Sequence, residues 1–273
     1  IGKPLLDFKN NYDLSNYHVI ELSSFQLESA PNFKSYISIL LNISKDHLDR
    51  YGNIKTYSFA KAKIFNKNTK YNIISIDDNY SKKIYQSLKS HNKIAISLNK
   101  KLKKGIYYFD NKIFDNYFYK NKMIEINKIS ESLKGEFNIQ NLLFTYTVSK
   151  ILKINSKIFN KTIKNFKGLP HRLEKIFEDK KLIIINNSKA TNLESTLQSI
   201  NIYDNIYLIL GGVAKQKNFK SIIKYKDKLN KCYLIGKSSN EIYKQIKNDI
   251  NSKITKNIEN SVNEIFMDIK NKN

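Results

Sequence analysis

Apolar residues along this chain fall into short runs of strand length, separated by segments with helical period, the alternation of an α/β protein. Two early runs have the look of buried parallel strands: Tyr17-His-Val-Ile20 and Ile37-Ser-Ile-Leu-Leu-Asn-Ile43. Each discharges into polar residues. The first meets Glu21; the second breaks at Ser44-Lys45-Asp46 and delivers His47, Asp49 and Arg50. Ligands of open α/β sheets bind at such carboxyl ends, so Glu21 and His47 are the first candidates for metal-ligating or acid/base groups. Ser23 with Gln26 three residues on predicts a capping box and a helix directly after Glu21.

The pattern continues in order. Residues 1–16 read as a short helix and loop, and residues 56–66 as a helix on which Lys61 and Lys63 stand about 200° apart, so at most one faces the site. Strands are expected at 71–76 and 93–98 around a helix at 80–90. Short antiparallel strands follow at 105–109, 112–119 and 123–126, with Asp110-Asn111 as a turn. Helices at 138–152 and 157–166 lead to Gly168-Leu169-Pro170, where glycine and proline interrupt the chain. A second β/α alternation begins there, with strands at 182–185, 206–210 and 231–235 and a last helix at 260–270. The expected domains are 1–168 and 169–273.

With 273 residues, 41% of them apolar, the chain can build two cores. No apolar run reaches membrane-span length, and the single cysteine, Cys232, fits a reducing, cytoplasmic setting. Ile1-Gly-Lys-Pro4 lacks an initiating Met and a signal pattern, so a cut is expected there rather than a native start. The formal charge of +24 first suggests nucleic acid. Lysine is spread over the whole length, however, and only two arginines occur, so a general bias towards Lys and Asn explains it better. No nucleic-acid or membrane partner is expected, and a monomer is. The two arginines, Arg50 and Arg172, each lie near a histidine and mark places where a planar fork is needed.

Four sequence blocks now carry a resemblance. Glu21-Leu-Ser-Ser-Phe-Gln-Leu-Glu28, Asn42-Ile-Ser-Lys-Asp-His-Leu-Asp-Arg50, Leu169-Pro-His-Arg172 and Asn187-Ser-Lys-Ala-Thr-Asn192 occur in the order and spacing of the Mur ligases. Gly135-Glu-Phe-Asn138-Ile-Gln-Asn141 and Leu210-Gly-Gly-Val-Ala-Lys215 resemble two further blocks of that family. The resemblance implies a fold: a central Mur-ligase-type parallel-sheet ATPase domain, incomplete at its start, followed by a Rossmann-like α/β domain that binds the amino acid. It implies an activity: ATP-dependent amide formation through an acyl phosphate, in peptidoglycan precursor synthesis. The S-S-F-Q-L-E and S-K-A-T-N blocks imply UDP-N-acetylmuramoyl-L-alanine and D-glutamate as substrates.

The same resemblance implies roles. Glu21, His47 and a carbamylated Lys61 would hold Mg2+ and form the catalytic centre, converging on one cleft. Asn138, Asn141, Arg172 and Asn187 would contact ATP; Lys189, Thr191 and Lys215 would contact substrate. Three residues depart from the family's usual pattern: Phe137 for histidine, Asn187 for aspartate and Val213 for a polar residue. Neither a G-x-x-x-x-G-K-[ST] phosphate loop nor a shorter G-K-[ST] one is expected in the chain. The resemblance places that loop upstream of residue 1, so these 273 residues alone are expected to make no product. Three other readings compete: a related ligase that adds another amino acid or extends folate, a nucleic-acid binder, and a non-catalytic relative.

Overall fold

A computed structural model describes residues 17–120, 122–125, 129–133, 135–214 and 217–271. Residues 1–16 and Lys215 lie outside them. The chain divides into two compact units, one of residues 1–125 and 143–153, the other of residues 126–142 and 154–273. The Gly168-Leu169-Pro170 break therefore falls within the second unit.

The first unit is built on a six-stranded sheet in the order β1 (Ile37–Leu40), β2 (Tyr71–Ser75), β3 (Lys93–Ser97), β4 (Ile106–Phe109), β5 (Lys112–Asp115), β6 (Lys122–Glu125). The first four run parallel, and β4 to β6 pair antiparallel. Asp110 and Asn111 both take positive φ (47° and 55°) in the β4–β5 turn, the tight-hairpin geometry that Asn and Asp tolerate. Helices α1 (Ser24–Ser29), α2 (Leu48–Tyr51), α3 (Ile54–Ala62) and α4 (Asn79–Ser87) accompany the parallel part. Leu40, Ile43, Tyr51, Tyr57, Ala60 and Ile74 form its core, with Phe25 and Phe65 packed against it.

One expected strand is absent. Residues 17–21 take no regular structure, and Val19 is 98% exposed. An all-apolar strand needs a hydrogen-bonded neighbour and cover on both faces. Among the described residues β1 pairs only with β2, and no strand pairs with residues 17–21. The capping box after them forms: Gln26 N donates to Ser23 Oγ, and Ser23 N donates to Gln26 Oε1 at 2.8 Å.

Helix α5 (Glu136–Ile151) crosses the division between the units. Its first-unit part is anchored by Asp115, which is wholly buried. That carboxylate accepts hydrogen bonds from Tyr146 Oη at 2.7 Å, Tyr117 N at 3.0 Å and Phe118 N at 2.9 Å.

The second unit carries α6 (Ser156–Asn165), a hairpin of β7 (Glu174–Glu178) and β8 (Ile183–Asn186), and α7 (Leu193–Ile200). Its parallel sheet has the order β11 (Ser252–Ile254), β10 (Leu229–Ile235), β9 (Ile206–Gly211), flanked by α8 (Ser239–Ile246) and α9 (Ile258–Lys270). Strand β10 is central and fully buried at Cys232, Tyr233 and Leu234. Strands β7 and β11 go beyond what the apolar pattern predicts, because Glu174-Lys-Ile-Phe-Glu178 and Ser252-Lys-Ile254 are largely polar. Asn53, Asn155, Asn192 and Asn257 cap α3, α6, α7 and α9 by accepting a backbone N–H in the first turn. No helix among the described residues is long and apolar enough to cross a membrane.

Two expectations follow for stability, both read by urea unfolding. Asp115→Ala should cost about 3 kcal/mol, because it strands a buried phenol and two amides, and Tyr146→Phe about half as much. Gly211 has φ 155°, and a Cβ on it would sit 1.9 Å from the Ile235 carbonyl oxygen. Gly211→Ala should therefore destabilise by about 3 kcal/mol or more, since β9 and β10 must part to admit it.

Candidate active site

At the end of β1 the chain is caught by a neighbouring carboxylate. Ile43 N donates to Asp78 Oδ2 at 3.2 Å, while Asp78 Oδ1 caps α4 through Tyr80 N and Ser81 N. From that fixed point the backbone turns through Asp46 and His47. His47 adopts the left-handed conformation (φ 51°, ψ 32°), donates its N–H to Asp46 Oδ1 at 2.9 Å, and brings Nε2 to 3.6 Å from Asp46 Oδ2.

Helix α3 presents Tyr57 and Lys61 one turn apart on one face. The Lys61 ammonium lies 5.3 Å from the Tyr57 ring centre, and that ring is 6.2 Å from His47. Burial lowers the proton affinity of Lys61, with Asp46 and then Glu21 pulling the other way. Burial also pushes Tyr57 up to about 12, helped by the charge of Asp46. Asp46, His47, Tyr57 and Lys61 thus form one neighbourhood, with the exposed Glu21 within electrostatic reach of Lys61. Lys63 faces elsewhere: its Nζ is 3.9 Å from Glu28 Oε1.

Oxygen donors suit magnesium, which commonly keeps several waters and takes one or two protein carboxylates. Glu21 and Asp46 supply that chemistry beside Lys61. Among the described residues no group of three or more His, Cys, Asp and Glu is placed to hold a metal ion, so a complete protein cage is absent. The donor set fits a magnesium ion that shares its shell with water and phosphate.

In the second unit the two remaining blocks fold onto each other. Lys189 N donates to the His171 carbonyl at 3.1 Å, and Asn186 Nδ2 meets His171 Nδ1 at 2.8 Å. His171 N donates to Glu174 Oε2 at 2.8 Å, and His171 and Leu173 both have positive φ. Asn187 is engaged at both ends: Oδ1 accepts from Leu173 N, and Nδ2 donates to Ser199 Oγ. Arg172, Lys189 and Thr191 are exposed around this knot. Asn138 donates Nδ2 to the Ser132 carbonyl at 3.0 Å, and Asn141 is exposed on the next turn of α5.

Asp46 and Tyr57 are the residues that motif reading leaves unassigned. Asp46 stands inside a quoted block, directly before His47, and its carboxylate at a strand end was signal enough. Motif reading also passes over Gly236-Lys237-Ser238, a short G-K-S sequence between β10 and α8. Its serine is spent on the fold, with Oγ accepting from Ala214 N and its N–H donating to the Gly212 carbonyl.

Residues 1–149 match the Mur ligase middle domain family. A UDP-N-acetylmuramoylalanine–D-glutamate ligase of Rickettsia prowazekii (strain Madrid E) is 38% identical over 274 residues, covering 98% of this chain and 60% of that protein. This chain thus spans about 60% of the length of the curated relative it matches. Among solved structures, MurF from Acinetobacter baumannii superposes with a TM-score of 0.64 at 14% identity, covering 86% of this chain and 54% of that one. MurF from Thermotoga maritima in complex with ADP gives 0.57 at 16%, covering 85% and 55%. Sequence and fold agree: the chain belongs to the Mur ligase family.

Proposed function

We propose that this chain carries the amide-forming centre of an ATP-dependent ligase that joins D-glutamate to UDP-N-acetylmuramoyl-L-alanine in peptidoglycan synthesis. The observation that carries the reading is the half-buried Lys61 amine, 5.3 Å from the Tyr57 ring and within electrostatic reach of Asp46 and Glu21. The curated relative's name supplies the substrates, and the ADP in a neighbour of the same fold supplies the nucleotide.

In the proposed reaction the γ-phosphoryl group of ATP passes to the substrate carboxylate, giving an acyl phosphate and ADP. The amine of D-glutamate attacks the acyl carbon, loses a proton, and phosphate leaves. Glu21, His47 and a carbamylated Lys61 would hold magnesium, with Asp46 beside them. Bound magnesium would supply the charge neutralisation that lets the two anions approach. A Lys61 amine that gives up its proton easily can add to carbon dioxide, and the carbamate turns a cation into an oxygen donor. Asp46 fixes the His47 turn through the His47 amide. Domain 1–168 would bind ATP through Asn138 and Asn141, and domain 169–273 would add Arg172. Lys189, Thr191 and Lys215 would receive D-glutamate. Asn187 is held by Leu173 and Ser199, so its service to the nucleotide is to fix the loop rather than to grip a ribose.

Two outcomes test this. In a polypeptide spanning the relatives' full length, Lys61→Ala should abolish most ligase turnover, with partial rescue by acetate or formate, while Lys63→Ala should cost little. Lys61→Arg should resist that rescue, since its bulk and charge fill the vacated site. Near-normal turnover by Lys61→Ala would remove the assignment. The second outcome concerns stability. Lys61 has a lowered folded-state proton affinity, so below 10.5 the unfolded chain binds more protons and stability rises with pH towards that value. Lys61→Met should raise the melting temperature at pH 7, and its advantage should shrink as the pH approaches 10.5. A constant advantage from pH 7 to 10.5 would contradict the burial of a reluctant cation.

A further inference from the structure

Something must hold the His47 turn, because its own helix cannot. Helix α2 has four residues, too few to sustain itself, and His47 caps it without a side-chain hydrogen bond while in a left-handed conformation. The support comes from α1. His47 stands edge-on to Phe25, with ring centres 5.0 Å apart. Phe25 also stacks with Tyr51 at 5.8 Å and carries the Arg50 guanidinium 4.7 Å above its centre. Glu28, one turn along α1, ties the group together. Its Oε2 accepts from Tyr51 Oη at 3.0 Å and Arg50 Nη2 at 3.4 Å, and its Oε1 faces Lys63.

We propose that Glu28 and Arg50 are positioning residues: with Phe25 and Tyr51 they clamp the His47 turn, and so hold Asp46 and His47 beside Lys61. The purpose of the clamp rests on the reading of that neighbourhood as the ligase centre; its geometry does not. Arginine is required here for its shape. A planar guanidinium can lie flat on a ring and bond a carboxylate from its edge, whereas an ammonium is a point charge. In a chain whose default cation is lysine, one of the two arginines stands at this spot. The pair is partly solvent-exposed, with side-chain exposures of 58% and 30%. Such a pair contributes little to global stability. Its removal therefore disturbs the turn more than the fold, and that difference is measurable.

The test uses isotope-labelled protein of these 273 residues and the variants Arg50→Ala, Arg50→Lys and Glu28→Ala. NMR reads the nuclear Overhauser contact between the His47 and Phe25 rings and the φ angle of His47. Manganese(II) alone serves as a paramagnetic probe of Asp46 and His47. Both alanine variants should lose the ring contact and the positive φ. They should also need about tenfold more manganese for the same broadening, the usual scale for removing a ligand's support. Melting temperatures should move only a few degrees. Arg50→Lys should fall between, keeping a charge over Phe25 but not the fork. If Arg50→Ala fails to fold, Glu28→Gln decides, since it keeps an acceptor for Tyr51 and removes the charge. A wild-type ring contact, φ and manganese response in both alanine variants would overturn the clamp. Should the wild-type protein show no broadening at Asp46 and His47 while the ring contact responds as expected, the clamp stands and the metal centre falls.

Discussion

The structure depends on a constraint of parallel sheets: strands buried on both faces must keep their charged residues at the ends. Strand β2 ends at Ser75 and is followed by Asp77 and Asp78. Asp77 accepts from Ser97 Oγ and from Leu98 N at the end of β3, and Asp78 reaches across to Ile43 N beyond β1. Three strand ends are thus laced by two carboxylates. The backbone leaving β1 has its direction set before it reaches Asp46. The left-handed step at His47 and the short α2 come directly after that fixed point. What chemistry the neighbourhood can do is decided by where the sheet lets polar groups gather.

A second constraint is burial without neutralisation. Lys61 loses water on entering the neighbourhood, and two carboxylates only partly compensate. Tyr57 is held protonated by the same surroundings. The first unit therefore keeps a cation and a phenol under tension at one point, while Lys63, two residues along the same helix, is relaxed against Glu28. Helical geometry alone separates these two lysines.

Much of this was legible in the chain. Strands β2, β3, β9 and β10 are apolar runs of the right length, and the Ser23–Gln26 box and the Asp110-Asn111 turn rest on local chemistry, which needs no partner. The stretch 17–21 differs for the opposite reason: a strand's pattern assumes a neighbouring strand, and among the described residues no strand pairs with it. Strand β7 was invisible because a hairpin can be held by its backbone while its side chains stay polar. Tyr57 has no such local signal, because its importance is three-dimensional. Only the fold sets Tyr57 against His47, ten residues away. Within the second unit, the meeting of His171 with Asn186 and Lys189 is equally long-range.

The asparagine caps have a consequence for how this chain tolerates compositional drift. Among the described residues four helices begin on asparagine, and in each case the fold uses one side-chain carbonyl oxygen. Serine or aspartate offers an equivalent oxygen at nearly equal free energy. A chain pushed towards asparagine by bias in its coding can therefore exchange its helix starts wholesale without moving a helix. Arg50 has no such substitute, because its task needs a plane as well as a charge. Degeneracy of this kind sorts the positions of the chain into those that may follow the bias and those that must resist it.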